Sequence, residues 1–151
     1  MVKKTLFIVS SFLFLVFGGV AGAQSMVTLN NYMNKNLNNM NDWATRHYIY
    51  SRCAAVGLYT QALLQTRNLQ PSNRSKNLYE FFNELAMNTY LKEGKKTIDQ
   101  LTANYLPLLK KHADIYKKDG DENFARTGEY ASGYIIEDLQ ICVDIQKTLS
   151  K

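Results

Sequence analysis

The sequence has little proline, cysteine or histidine, and each shortage argues against a class of structure or site. Its 151 residues include two prolines (Pro71 and Pro107), two cysteines and two histidines. No stretch alternates apolar and polar residues as a half-buried strand does. Long stretches instead carry apolar residues three and four positions apart, the spacing of one helix face. The sequence therefore predicts an all-α fold.

The scarce histidines and cysteines also argue against common catalytic and metal sites. His47 and His112 fall in different predicted helices, and neither has a second His or Cys at i+3 or i+4 to form a chelating pair. There is no Cys-x-x-Cys, no Glu-x-x-His, no nucleophile elbow and no phosphate-binding glycine loop. We therefore expect no catalytic residue, no metal and no cofactor, and a protein that is not an enzyme. A hydrolase remains an alternative, because catalytic groups far apart in sequence can meet in the fold.

The first 23 residues have the layout of a Sec-type signal peptide. Lys3 and Lys4 precede an uncharged apolar run over residues 6–17, and Ala21-Gly22-Ala23 fits the small-x-small pattern of a cleavage site. The run is shorter than the roughly 20 residues that a membrane-spanning helix needs. We expect cleavage after Ala23 and export by a bacterium, to the periplasm or outside the cell. The mature chain would be one domain over residues 24–151, with no integral membrane segment.

The charge of the mature chain is modest. Loss of Lys3 and Lys4 lowers the formal net charge from +5 to +3. A nucleic-acid binder usually has a denser basic surface, so we expect no nucleic-acid partner.

Helical spacing and capping residues divide the mature chain into segments. We predict a small antiparallel bundle of four main helices, preceded by a short asparagine-rich helical segment. The short segment covers about 28–40, and the main helices cover about 42–67, 74–91, 97–116 and 128–149. Pro107 is expected to kink or split the fourth predicted segment around residues 104–106, because proline lacks the N–H of a helical hydrogen bond.

Residues 117–127 are predicted to form a charged loop around Gly120. Within it, Asp119, Asp121 and Asn123 occupy the first three alternating ligand positions of a calcium loop. Phe124 stands where that motif needs glycine, and Tyr130 stands where it needs the bidentate acid. The sequence favours an ordinary solvated loop.

Cys53 and Cys142 lie in the middle of apolar stripes on the first and last main helices. An exported chain meets an oxidising environment, so a disulfide between them is expected. Because the two residues are not a Cys-x-x-Cys pair, the bond is expected to be structural rather than redox-active.

Asp138 falls on the same stripe as Cys142 and is the best single candidate for a functional residue. An unpaired buried carboxylate is costly, so Asp138 is expected to be mostly buried with a hydrogen-bonding partner. In one interpretation that partner is structural, for example Arg46 or Arg52. In the other, Asp138 lines a ligand-binding cavity between helices, together with Arg52, Tyr50 and Tyr134. The ten tyrosines of the chain suit either a bundle edge or a contact surface.

The sequence resembles no family on these features, and three hypotheses remain for its function. The first is a binding or interaction protein of the bacterial envelope, chaperone-like or inhibitor-like, with a protein partner. The second is a carrier that holds a small molecule in a cavity near Asp138. The third is a hydrolase with a site that the sequence does not reveal.

Overall fold

The computed structural model describes residues 26–67, 69 and 73–151 of the chain. The predicted signal peptide and its cleavage site lie outside these residues. The described part contains helices and no strands, so the all-α prediction is confirmed. Its five α-helices are α1 (Leu29–Lys35), α2 (Trp43–Thr66), α3 (Asn73–Asn88), α4 (Ile98–Thr127) and α5 (Gly133–Leu149). A 3₁₀ turn (Leu37–Asn39) follows α1, and a π-helical turn (Thr89–Glu93) extends α3.

Side chains at the helix starts explain where most of these elements begin. Asp42 precedes α2 and accepts hydrogen bonds from the backbone N–H groups of Ala44 and Thr45. Thr97 and Gln100 form a reciprocal capping box at the start of α4. Ser132 caps α5, which starts about five residues later than the predicted position near Gly128. Gly128 instead ends α4, with a φ of 79° that favours glycine.

The central element is α2, which contacts all four other helices. Seven consecutive residues, 51–57, are buried, so this part of α2 is enclosed on all sides rather than along one stripe. Small side chains allow the close approach: a Cβ on Gly57 would lie 2.9 Å from the backbone nitrogen of Tyr79 in α3. The arrangement of α2 to α5 fits the predicted four-helix bundle, with α1 packed on α5 and α2.

The predicted disulfide is present and fixes α5 to α2. Cys53 and Cys142 are bonded, with 5.4 Å between their Cα atoms, and both are fully buried. The bond links positions 89 residues apart. It therefore joins the first and last main helices across the core.

The predicted split at Pro107 and the predicted loop at 117–127 are both wrong, because α4 runs as one helix from Ile98 to Thr127. A kink at Pro107 stays a prediction. Pro107 deprives the Ala103 carbonyl of its helical partner, but both residues are exposed, so water can satisfy that carbonyl. The supposed loop is helical and carries the i,i+4 ion pairs Lys117–Asp121 and Lys118–Glu122.

Gly120, which suggested a loop, is buried within α4 for a different reason. A Cβ at this position would lie 2.0 Å from the Tyr59 hydroxyl. That hydroxyl donates a hydrogen bond of 3.2 Å to the Tyr130 carbonyl, so the glycine makes room for a tyrosine from α2. Because residues 119–123 are helical, they do not have the conformation of a calcium-binding loop.

Candidate functional site

Asp138 and Arg52 form an ion pair at the centre of the bundle. Both side chains are fully buried, and Arg52 Nη2 donates to Asp138 Oδ2. Asp138 Oδ2 also accepts from the Tyr116 hydroxyl at 2.6 Å, and Asp138 Oδ1 accepts from the backbone N–H of Leu29 at 2.7 Å. The prediction of a buried Asp138 with a hydrogen-bonding partner is confirmed. The partners include Arg52, one of the two arginines that the structural interpretation named.

Tyrosine hydroxyls and one backbone carbonyl accept the other hydrogens of Arg52. Its Nε donates to Tyr116 at 3.1 Å, Nη1 to Tyr48 at 3.4 Å, and Nη2 to Tyr134 at 3.2 Å. Nη1 also donates to the Val27 carbonyl at 2.7 Å. We refer to Arg52, Asp138, Tyr48, Tyr116 and Tyr134 as the buried charge cluster. The five N–H groups of the guanidinium thus have partners, as a buried arginine requires.

The surroundings of Arg52 and Tyr116 raise the pKa of both groups. Burial opposes the charge of Arg52, but the surrounding Tyr116 and Asp138 outweigh it and raise the pKa of the guanidinium. Burial raises the pKa of the Tyr116 hydroxyl well above its usual range. At neutral pH the arginine is therefore charged and Tyr116 remains a proton donor to Asp138.

The structure brings together three of the four predicted ligand-binding residues: Asp138, Arg52 and Tyr134. It places Tyr50 elsewhere, with its ring 6.0 Å from that of Phe82 and with Arg46 and Glu93 as the neighbouring charges. Tyr50 lies two positions from Arg52 and therefore points to a different side of α2. The ligand-binding role assigned to these four residues remains a prediction.

The predicted site residues did not include Tyr48, Tyr116 or the backbone of residues 27–29. Tyr116 follows buried Tyr105, Leu109 and His112 at helical spacing on α4. That spacing was a signal that Tyr116 faces the core, but Tyr116 is the last residue of the predicted segment, next to the predicted loop. The backbone groups at 27 and 29 left no signal in the side-chain pattern.

The two histidines are buried and neutral rather than paired with an acid. His47 Nδ1 lies 3.0 Å from the Ala86 carbonyl. The ring of His112 packs edge-on against Tyr48, and no hydrogen-bond partner for its buried Nδ1 occurs in the described structure. Burial, with the nearby charge of Arg52, lowers the pKa of His112 to about 4. The contacts of Asp138 are made to arginine, tyrosine and backbone, so it is not held by a histidine as in a catalytic dyad.

A separate cavity of about 540 Å³ lies between the second half of α2 and α4, and we call it the α2–α4 groove. Its lining is mainly apolar and includes Leu58, Ala62, Leu63, Leu106, Leu109 and Ala113. Its extent along α4, from Leu106 to Asp121, corresponds to about 22 Å at the rise of an α-helix. Asp138 is not part of the lining, so the groove is not the cavity near Asp138 that the sequence suggested.

Charged side chains on α4 form one edge of the groove. Lys110, Asp114, Lys117 and Asp121 follow one another at spacings of four, three and four residues, and all four side chains are at least half exposed. Each lysine forms an ion pair with the aspartate four positions on. The edge therefore presents alternating charge and no net charge of either sign.

Aromatic side chains lie at one end of the groove. Tyr59 and Tyr130 contribute to its lining, and the Tyr130 ring stacks on Phe124 with 4.2 Å between centroids. The Arg67 guanidinium lies 4.7 Å from the centroid of Tyr130. This end combines rigid apolar surface with one cation held over an aromatic ring.

Neither a metal centre nor a membrane span is found in the part of the chain that the structure describes. No three His, Cys, Asp or Glu side chains within residues 26–67, 69 and 73–151 are grouped to hold a metal ion. Over the same residues, no helix has both the length and the apolar character that crossing a membrane requires.

The buried charge cluster and the α2–α4 groove are the two candidate functional features of the described residues. Known family models, curated proteins and solved structures were compared with the chain, and no match was found.

Proposed function

We propose that this protein is an exported, disulfide-stabilised binding protein of the bacterial envelope, and that its α2–α4 groove binds an amphipathic helix of a partner protein. The binding proposal is based on the shape and lining of this groove. Export is supported by the signal-peptide layout of residues 1–23 and is consistent with the buried Cys53–Cys142 bond.

The shape of the groove favours a helical ligand. It is a trench about 22 Å long between two helices, and its apolar lining lies below a polar edge. Amphipathic helices bind such grooves through apolar residues at i, i+3, i+4 and i+7. A partner helix of about 14 residues would match this length.

The charges at the edge favour a polypeptide over an anionic lipid or metabolite. Lys110 and Lys117 are each paired with an aspartate, so neither is a free cation for an anionic head group. A partner helix that carries alternating acidic and basic residues beside its apolar stripe would instead complement the edge along its length. Such complementarity sets register and specificity more than raw affinity. This chemistry suits the chaperone-like or inhibitor-like role that the sequence suggested.

A small apolar molecule is the second candidate ligand, and the cavity volume supports it. About 540 Å³ lies within the range of roughly 300–1,000 Å³ that is typical of small-molecule sites. In this alternative the protein is a carrier, and its site is the α2–α4 groove rather than the surroundings of Asp138.

Photo-crosslinking separates the two candidates. A photo-reactive amino acid is placed at exposed Ala62 in the groove or, as a control, at exposed Ile136 on α5. Each variant is irradiated in the bacterial envelope, and the adducts are identified by mass spectrometry. We expect a polypeptide adduct at position 62 that is absent at position 136 and that maps to an amphipathic helix of the partner.

The alternative results are also informative. An adduct of small mass at position 62 would support the carrier and contradict a protein ligand. The same adducts at both positions, or none at position 62, would refute the groove as the binding site. The bulky substitution Ala113→Trp, in a variant that remains folded, is the control that fills the groove. An adduct at position 62 supports binding in the groove only if Ala113→Trp abolishes it.

A further inference from the structure

The buried charge cluster holds a short piece of the chain's own backbone. Arg52 Nη1 donates to the carbonyl of Val27 at 2.7 Å, and the N–H of Leu29 donates to Asp138 Oδ1 at 2.7 Å. Thr28 between them is extended, with φ −55° and ψ 151°, and its hydroxyl caps α1. The positive and negative members of one ion pair therefore bind a carbonyl and an amide that lie two residues apart. We call residues 27–29 the resident segment.

Leu29 is the one fully buried side chain of the resident segment, and Thr28 is partly buried. Leu29 is fully buried in the core cluster, whereas Val27 is 48% exposed. The site thus requires a carbonyl, one spacer residue, and then an amide with a leucine-sized side chain. Most of the ligand is recognised through atoms that every polypeptide has.

The charged groups of the cluster need these backbone contacts to complete their hydrogen bonds. Without the resident segment, Asp138 Oδ1 would lose its hydrogen bond from Leu29, and Arg52 Nη1 would keep only its 3.4 Å bond to Tyr48. Buried charged groups that lack hydrogen bonds are strongly unfavourable. The cluster is therefore built to hold a peptide backbone, in addition to its internal ion pair.

The resident segment belongs to a short element before the four main helices. It leads into α1, which has seven residues and is too short to be stable as an isolated helix. A 3₁₀ turn with no buried residues connects α1 to the rest of the chain. Elements of this kind open locally while the core stays folded.

We propose that the buried charge cluster is a main-chain binding site for polypeptides, occupied in the folded chain by residues 27–29, and open to a separate polypeptide segment of the same pattern when the resident segment is released. The α2–α4 groove is not part of this site. The tests of this proposal are therefore independent of the tests of the function proposed above.

The test weakens the resident segment and offers a replacement peptide. Leu29 is the first residue of α1, where proline is well tolerated, and Thr28 already has a conformation suitable before proline. Leu29→Pro removes the N–H that Asp138 accepts, along with the leucine side chain. A synthetic peptide of residues 26–36 is titrated into this variant, and a peptide carrying the same proline is the control.

We expect the unmodified peptide to raise the melting temperature of Leu29→Pro by several degrees in a saturable manner. The proline peptide should have little effect, and wild-type protein should respond to neither peptide because its site is occupied. If Leu29→Pro does not fold, Leu29→Ala, which keeps the N–H, is used for the same titration. Equal effects of the two peptides, or no effect of either, would overturn the proposal.

Hydrogen exchange gives a second readout on the unmodified chain. The Leu29 amide should exchange at least about 100-fold more slowly than in the free peptide, yet faster than the core amides of α2. Exchange at the free-peptide rate would contradict a bound resident segment. If the Leu29 amide exchanges only as slowly as the core amides of α2, the segment is not released separately. That result too would contradict the proposal.

Discussion

Removal of the Asp138 carboxylate tests the structural importance of the buried charge cluster. In Asp138→Ala, Arg52 keeps its charge but loses its counter-ion, and the Leu29 N–H and Tyr116 hydroxyl lose their acceptor. Breaking a buried ion pair by removing one partner costs about 3–5 kcal/mol. That is a large part of the roughly 5–15 kcal/mol that stabilises a typical domain. We therefore expect Asp138→Ala to be folded only marginally, held in part by the Cys53–Cys142 bond.

Urea unfolding with the disulfide intact, monitored by circular dichroism, measures this loss. Asp138→Asn is the matched control, because an amide can still accept from Leu29 but carries no charge. The double variant Arg52→Met/Asp138→Leu completes the comparison: it removes both charges, and we expect it to be more stable than Asp138→Ala. If Asp138→Ala lowers the free energy of unfolding by less than about 0.5 kcal/mol, the change usual for exposed positions, the result would refute this reasoning. It would favour the other interpretation, in which Asp138 serves a ligand.

Three further predictions concern the disulfide, a histidine and a glycine. Replacing Cys53 and Cys142 with alanine should lower the free energy of unfolding by about 4–5 kcal/mol, from the loop entropy of an 89-residue separation, as measured by denaturant titration. The pKa of His112 falls from 6.5 in the unfolded chain to about 4 in the fold, so the unfolded chain binds protons more readily between these values. The contribution of neutral His112 to the free energy of unfolding should therefore be fully present above about pH 6.5 and should fall by roughly 3 kcal/mol towards pH 4. A His112→Gln variant titrated in parallel is the reference. Gly120→Ala should cost about 1–3 kcal/mol because the new methyl overlaps the Tyr59 hydroxyl and also lies 2.9 Å from the Tyr130 carbonyl oxygen. The cost should be smaller in a Tyr59→Phe background, where the hydroxyl is gone and the carbonyl contact remains; equal costs in the two backgrounds would refute the steric explanation by the hydroxyl.

The fold was predictable where side-chain periodicity and caps act locally. Asp42 and Thr97 mark true helix starts, and the stripes through Cys53 and Cys142 led to the correct disulfide. One error is the start of α5, and the others lie in α4, where Pro107 and Gly120 resemble helix breakers. Both signals are local, whereas the outcome depends on an exposed carbonyl at Ala103 and on a tyrosine from another helix.

The buried charge cluster was predictable in part. The stripe position of Asp138 required a buried partner, and Arg52 was one of the two arginines named as examples. The contributions of Val27 and Leu29 come from backbone atoms, which no side-chain pattern encodes. The α2–α4 groove was not predictable, since it arises from the distance between two helices and not from the periodicity of either.

A binding map of the α2–α4 groove is the most direct test of the proposed function. The partner segment identified by crosslinking at Ala62 is synthesised and added to isotope-labelled protein, and amide chemical shifts are followed by NMR. A second sample exchanges Lys110 with Asp114 and Lys117 with Asp121, which keeps the net charge and the i,i+4 pairs but reverses the charge order along the edge. The proposal predicts shift changes confined to residues 58–67 and 106–130, and affinity at least about tenfold weaker for the exchanged variant. Shift changes centred on the outer face of α5, or equal affinity for both proteins, would contradict it.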